Sequence, residues 1–161
     1  ATETLSPGKG IMYAYTGIAI GDLLCGSLSQ VFKTRKKIVF IFLTATLAAV
    51  LTFLFSRNFN AQYFHIMCFI MGLATGYWVV FVTMGAEQFG TNIRATVATT
   101  IPNFVRGSLV PVLLFFNFLK PHFGIINSGL IVGISTIALA YIALFNLDET
   151  YGKDLDYVEE K

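Results

Sequence analysis

Asp22 and Arg106 stand where charged side chains are costly. Of the 11 basic and 9 acidic residues in the chain, these two lie well inside long apolar runs. Asp22 comes 11 residues before Lys33, and Arg106 comes 12 residues after Arg94. At a helical rise of roughly 1.5 Å per residue this puts them about 16 Å and about 18 Å deep, near the middle of a bilayer. A charge there costs about 2.5–3.5 kcal/mol on insertion scales, so it needs a partner or a water-filled cavity. Two readings are open. In one, Asp22 and Arg106 pair, with each other or with further helices, and hold a bundle together. In the other they line a solute pathway, where Arg106 binds an anionic or hydroxylated solute and Asp22 carries a proton.

The surroundings of Arg106 add to the second reading. Pro102 cannot donate to the carbonyl of Ala98, nor Pro111 to that of Gly107, so kinks are expected at both. Freed backbone groups are tolerated at membrane depth where they line a cavity or meet a neighbour. Asn103 adds a polar group one turn before Arg106. Tyr77 and Trp78 lie deeper than an interfacial aromatic belt and offer a stacking surface, or else core packing. His65, near the far end of the same run, reads as an interfacial histidine or a proton relay. Cys25 and Cys68 have no CxxC partner, which points away from a disulfide or zinc site and toward small apolar packing. No nucleotide-binding loop, metal cluster or catalytic triad is legible, so no cofactor, no metal and no enzyme activity are expected.

The elements that must position these residues follow from composition. The chain has 161 residues, 55% hydrophobic and 12% charged, against about 25% charged in an ordinary soluble domain. Mean hydropathy is +0.70. Five apolar runs, about 11–32, 38–55, 61–86, 95–119 and 123–147, approach the length of about 20 residues that a helix needs to cross the hydrocarbon. The expected fold is all-α, a polytopic membrane bundle of five helices with a tail over 148–161. Breaks are expected at Lys33–Lys37, Ser56–Asn60, Glu87–Arg94 and Lys120–His122, the last because Pro121 disfavours helical geometry at Lys120. With five spans, Lys33, Arg35, Lys36, Lys37, Arg94, Lys153 and Lys161 collect on one side, and Lys9, Arg57 and Lys120 on the other. The positive-inside rule makes the first side and the C-terminal tail cytoplasmic, in a plasma or inner membrane. Gly17, Gly21, Cys25 and Ser29 repeat every four residues, as do Gly72 with Gly76 and Gly129 with Gly133. Such stripes let helices approach closely in lipid.

Three loop segments resemble the C-terminal part of the major facilitator superfamily, in its sugar-porter and metabolite:proton symporter branch. GDLLCGSLSQVFKTRKK (21–37) is similar to that family's Gly-x-x-x-Asp-Arg-x-Gly-Arg-Arg loop, with Gln30 in the acidic place. AEQFGTNIRAT (86–96) is similar to its Glu-x-x-Pro-Thr-x-x-Arg loop, with Gly90 for Pro. LDETYGKDLDYVEE (147–160) is similar to its Pro-Glu-Thr-x-Gly tail, with Asp148 for Pro. The resemblance implies helices eight to twelve of a twelve-helix protein and a missing N-terminal half upstream of Ala1. It further implies proton-coupled symport of a small organic solute by alternating access. A cytoplasmic charge network of Arg35, Lys36, Glu87 and Arg94 belongs to the same implication; the alternative is that these charges are topology signals and weak exposed pairs. The stretch around Trp78 lacks the prolines of hexose porters, which favours a metabolite or organic acid. A non-transporting scaffold or sensor, and an inactive fragment, are the competing readings. The expected partners are the bilayer, a small solute and protons, with no nucleic acid.

Overall fold

Local chemistry explains where each helix starts and stops. The computed structural model describes residues 6–56 and 60–158, and all of its regular elements among those residues are helices. α1 (Pro7–Val31) opens on a proline at its first position, where the missing N–H costs nothing. It ends in a turn in which Lys33 adopts φ 51°. α2 (Lys36–Phe55) follows. α3 (Ala61–Ala74) is capped by Asn60, whose side chain accepts the Tyr63 N–H at 2.7 Å. α4 (Trp78–Ala86) is short, and α5 (Thr91–Asn146) runs for 56 residues. Among the described residues, four helices are long and apolar enough to cross a membrane when α3 and α4 are taken together. Arg57 and Lys161, counted above for orientation, and the chain start at Ala1 lie outside the described residues.

Two expected boundaries move. The run over 61–86 is not one helix: it breaks at Thr75–Tyr77, between α3 and α4. The break expected at Lys120–His122 is absent. Helical backbone continues through Pro102, Pro111 and Pro121 and leaves helical geometry at Gly124, with φ 75° and ψ 173°. Proline's fixed φ suits a helix, whereas glycine alone takes that positive φ without a Cβ penalty. The expected fourth and fifth spans are therefore two helices within α5 that meet at a kink at Gly124, with no loop between them.

The chain divides into two units. The first holds α1, α2, α3 and the opening residues of α4. Its centre is a seam between α1 and α3, built from small residues. Gly10, Gly17, Gly21, Cys25 and Ser29 form the buried stripe of α1. A Cβ on Gly17 would overlap the Phe69 carbonyl, one on Gly72 the Ala14 carbonyl, and one on Gly76 the backbone of Gly21. The two helices thus touch backbone to backbone. His65 lies at this seam, 9% exposed, its ring stacked on Tyr13 at 5.4 Å with Nε2 unpartnered among the described residues.

The second unit holds Lys33–Lys36 and the chain from Phe81 onward. After α5 the tail runs without helix along the α4–α5 connection. Tyr157 donates its hydroxyl to the Gln88 carbonyl at 2.8 Å, and its own carbonyl accepts the Thr91 N–H at 2.8 Å. The tail thereby supplies an acceptor to the first turn of α5, where helix donors lack intrahelical partners.

Candidate functional site

The break between α3 and α4 is closed by side chains from α1, α2 and the break itself. Thr75 hydroxyl donates back to the Met71 and Gly72 carbonyls, both at 3.0 Å. Thr46 on α2 donates to the Ala74 carbonyl at 2.9 Å. Asp22 on α1 accepts the Val79 N–H through Oδ1 at 3.2 Å. The last carbonyls of α3 and an early N–H of α4 are so satisfied, as a helix interruption in an apolar setting requires. Gly21 and Gly76 make the approach possible, because a side chain on either would strike the other helix. Asp22, Tyr77 and Trp78 are all half-buried, and the two aromatics directly precede Val79 in the chain. The structure therefore brings three of the five pathway candidates to one place in the first unit.

Arg106 and Asn103 belong to the second unit, both exposed on α5. Asn103 donates to the Thr99 carbonyl at 3.1 Å. Arg106 makes no hydrogen bond or ion pair with the described residues of its own unit. Beside it, an open depression of about 570 Å³ is lined by Thr100, Asn103, Phe104, Gly107, Ser108 and Pro111. Pro102 is half-buried and Pro111 forms part of that depression, with helical φ/ψ kept at both.

Arg35, Lys36, Glu87 and Arg94 all belong to the second unit. Arg35 Nη1 lies 2.7 Å from Glu87 Oε2, with side chains 16% and 8% exposed. The contact is ionic and off the hydrogen-bond direction. Lys36 donates through Nζ to the Phe145 and Leu147 carbonyls at 2.9 and 2.7 Å, at the C-terminal end of α5. A cation suits that end of the helix dipole. Arg94 donates to the Phe89 carbonyl through Nε and Nη2, at 3.1 and 3.0 Å, and to the Leu155 carbonyl at 2.7 Å. A cavity of about 460 Å³ is bordered by Thr83, Glu87, Thr91, Arg94 and Leu155 together with apolar residues. Of the four residues expected to act as a network, Arg35 and Glu87 pair with each other, whereas Lys36 binds carbonyls at the end of α5 and Arg94 binds carbonyls of the α4–α5 loop and the tail.

Sequence reasoning assigned no role to Glu149, which accepts the Arg35 and Lys36 N–H groups at 2.9 and 3.1 Å and a hydrogen bond from the Thr34 hydroxyl. Burial would raise its carboxyl pKa, but the bonds from Thr34 and from the backbone of Arg35, Tyr151 and Lys36 outweigh that and hold it below the ordinary value. Its signal was faint: a carboxylate in a charged tail reads as solvated. Thr46 was missed for a related reason, since a lone threonine in an apolar run gives no sign that it serves another helix.

No family model matches the chain, and no solved structure matches it significantly. A polyamine aminopropyltransferase of Oceanobacillus iheyensis is 24% identical over 140 residues, covering 81% of this chain and 27% of that protein. The chain thus spans about a quarter of the length of the curated relative it matches. These findings overturn the major facilitator assignment. Its three motifs had each lost a defining residue, at Gln30, Gly90 and Asp148, and short basic loops between apolar helices resemble one another by topology alone. The expectation of no enzyme activity is corrected by the same match, because the similar protein is named as a transferase. At this identity the all-helical chain is similar to part of a protein named as a polyamine aminopropyltransferase, and no more than that similarity is shown.

Proposed function

We propose that this chain is a membrane-embedded helical part of a longer protein and that it passes a small organic solute across the bilayer, coupled to protons. The observation that carries the reading is Asp22: a carboxylate deep in an apolar helix, held at a stitched helix interruption beside Tyr77 and Trp78. Discontinuous helices with ionisable residues at membrane depth are the common architecture of solute and ion sites. Arg106, exposed on an apolar helix, adds a second midspan charge. The name of the similar transferase favours amines among organic solutes.

A second reading is favoured by that same name: the chain is the membrane-embedded part of an aminopropyl-transferring enzyme and does not itself pass solute. One experiment separates the two. The full-length protein is reconstituted into liposomes, and labelled spermidine, an organic acid and a neutral polyol are each offered under an imposed proton gradient. Accumulation of any of them, lost in Arg106→Ala or with a raised half-saturation concentration there, supports the pathway. Aminopropyl transfer by the same preparation without accumulation of any solute supports the enzyme reading and removes the pathway.

A further inference from the structure

Asp22 is the one acidic side chain among the described residues of the first unit. The described basic residues of that unit, Lys9 and Lys37, sit in the first turns of α1 and α2, far along the chain from the interruption. One N–H, that of Val79, meets the carboxylate. Within its own unit, a half-buried carboxylate in an apolar helix with a single hydrogen bond is poorly compensated, and a cation is what would compensate it. The surroundings select the kind of cation. Hard metal ions take several oxygen ligands, and no group of three or more His, Cys, Asp or Glu gathers among the described residues. Tyr77 and Trp78 sit on the same turn as Val79 and are half-buried. Aromatic faces with a carboxylate recognise ammonium groups, by cation–π attraction together with charge-assisted hydrogen bonds.

We infer that Asp22, with Tyr77 and Trp78 at the α3–α4 interruption, is the subsite for the ammonium group of an organic amine. The inference rests on the pathway reading and names the solute class at its site. It also gives the interruption a purpose. Asp22 is fixed by the Val79 N–H through one oxygen, so the carboxylate is oriented before any amine arrives.

The test is equilibrium binding of labelled spermidine to the purified full-length protein, with citrate and glycerol as the anionic and neutral comparisons. The expected result is saturable spermidine binding that citrate does not compete. Asp22→Asn should weaken it about tenfold or more, a loss of about 1.4 kcal/mol. Asp22→Glu should retain most of the binding, and Trp78→Ala should weaken it several-fold. Asn still accepts the Val79 N–H, so Asp22→Asn is expected to fold, and its melting temperature checks that. Spermidine binding unchanged in a folded Asp22→Asn variant, or absent from the native protein, overturns the subsite. The two claims fail separately: spermidine binding without gradient-driven uptake keeps the subsite and removes the pathway, whereas uptake of the acid or polyol without spermidine binding removes the subsite and keeps the pathway.

Discussion

At Asp22 two roles can be pulled apart by substitution, because charge and capping respond to different changes. The carboxylate accepts the Val79 N–H at the start of α4, a bond that an amide oxygen makes equally well. Asp22→Asn should therefore leave thermal stability near that of the native protein, while Asp22→Ala loses the cap and costs about 1 kcal/mol. Equal melting temperatures for the two variants would deny the capping role. Glu149 gives a pH prediction. Its carboxyl is held below the ordinary value in the folded chain, so it stabilises above the unfolded pKa, and that contribution is lost as pH falls through the folded pKa. Native protein should melt above Glu149→Gln at neutral pH, and the gap should close in acid. A gap independent of pH would mean that the hydrogen bonds to Thr34, Arg35 and Lys36 do not depend on the charge. Of these residues, the place of Asp22 well inside a long apolar helix was legible from its spacing to Lys33. Its partner was not, because the interruption that exposes the Val79 N–H arises from packing against α1.

At the scale of elements, the seam between α1 and α3 was legible and the boundaries were not. Glycines spaced by four announced a close approach, and at Gly17, Gly21, Gly72 and Gly76 the approach is backbone on backbone. Backbone cannot yield as a flexible side chain can. Gly17→Leu and Gly72→Leu should each separate the helices and sharply reduce the yield of monodisperse protein. Gly26→Ala, where an added Cβ meets nothing within 4 Å, should be tolerated. Similar yields for all three would show that the seam does not hold the first unit. Pro121 misled because a proline within an apolar run signals a stop, yet its φ is helical and the break falls at Gly124. Gly124→Ala must adopt a positive φ with extended ψ, a region essentially reserved for glycine, at a cost of about 1–3 kcal/mol; a melting temperature equal to that of the native protein would mean the interruption can shift along α5.

At the scale of the whole molecule, composition carried the reading of long apolar helices, and resemblance did not carry the family. Long apolar helices, with Asp22 and Arg106 the two charges well inside apolar runs, follow from the distribution of 20 charged residues (11 basic, 9 acidic) along the sequence. The loop motifs suggested more, but each depends on a few basic or acidic residues that any multi-span protein places there. The structure gives those residues a physical role without the family: Arg35 with Glu87, Lys36 with the end of α5, and Arg94 with the tail at Leu155. The central claim is a proton-coupled pathway with Asp22 in it. It is tested most directly by uptake of labelled spermidine into liposomes bearing the full-length protein under an inward proton gradient. The native protein should accumulate spermidine and lose the accumulation when the gradient is collapsed, and a folded Asp22→Asn variant should not accumulate it at all. Gradient-driven accumulation by Asp22→Asn equal to that of the native protein would contradict the account.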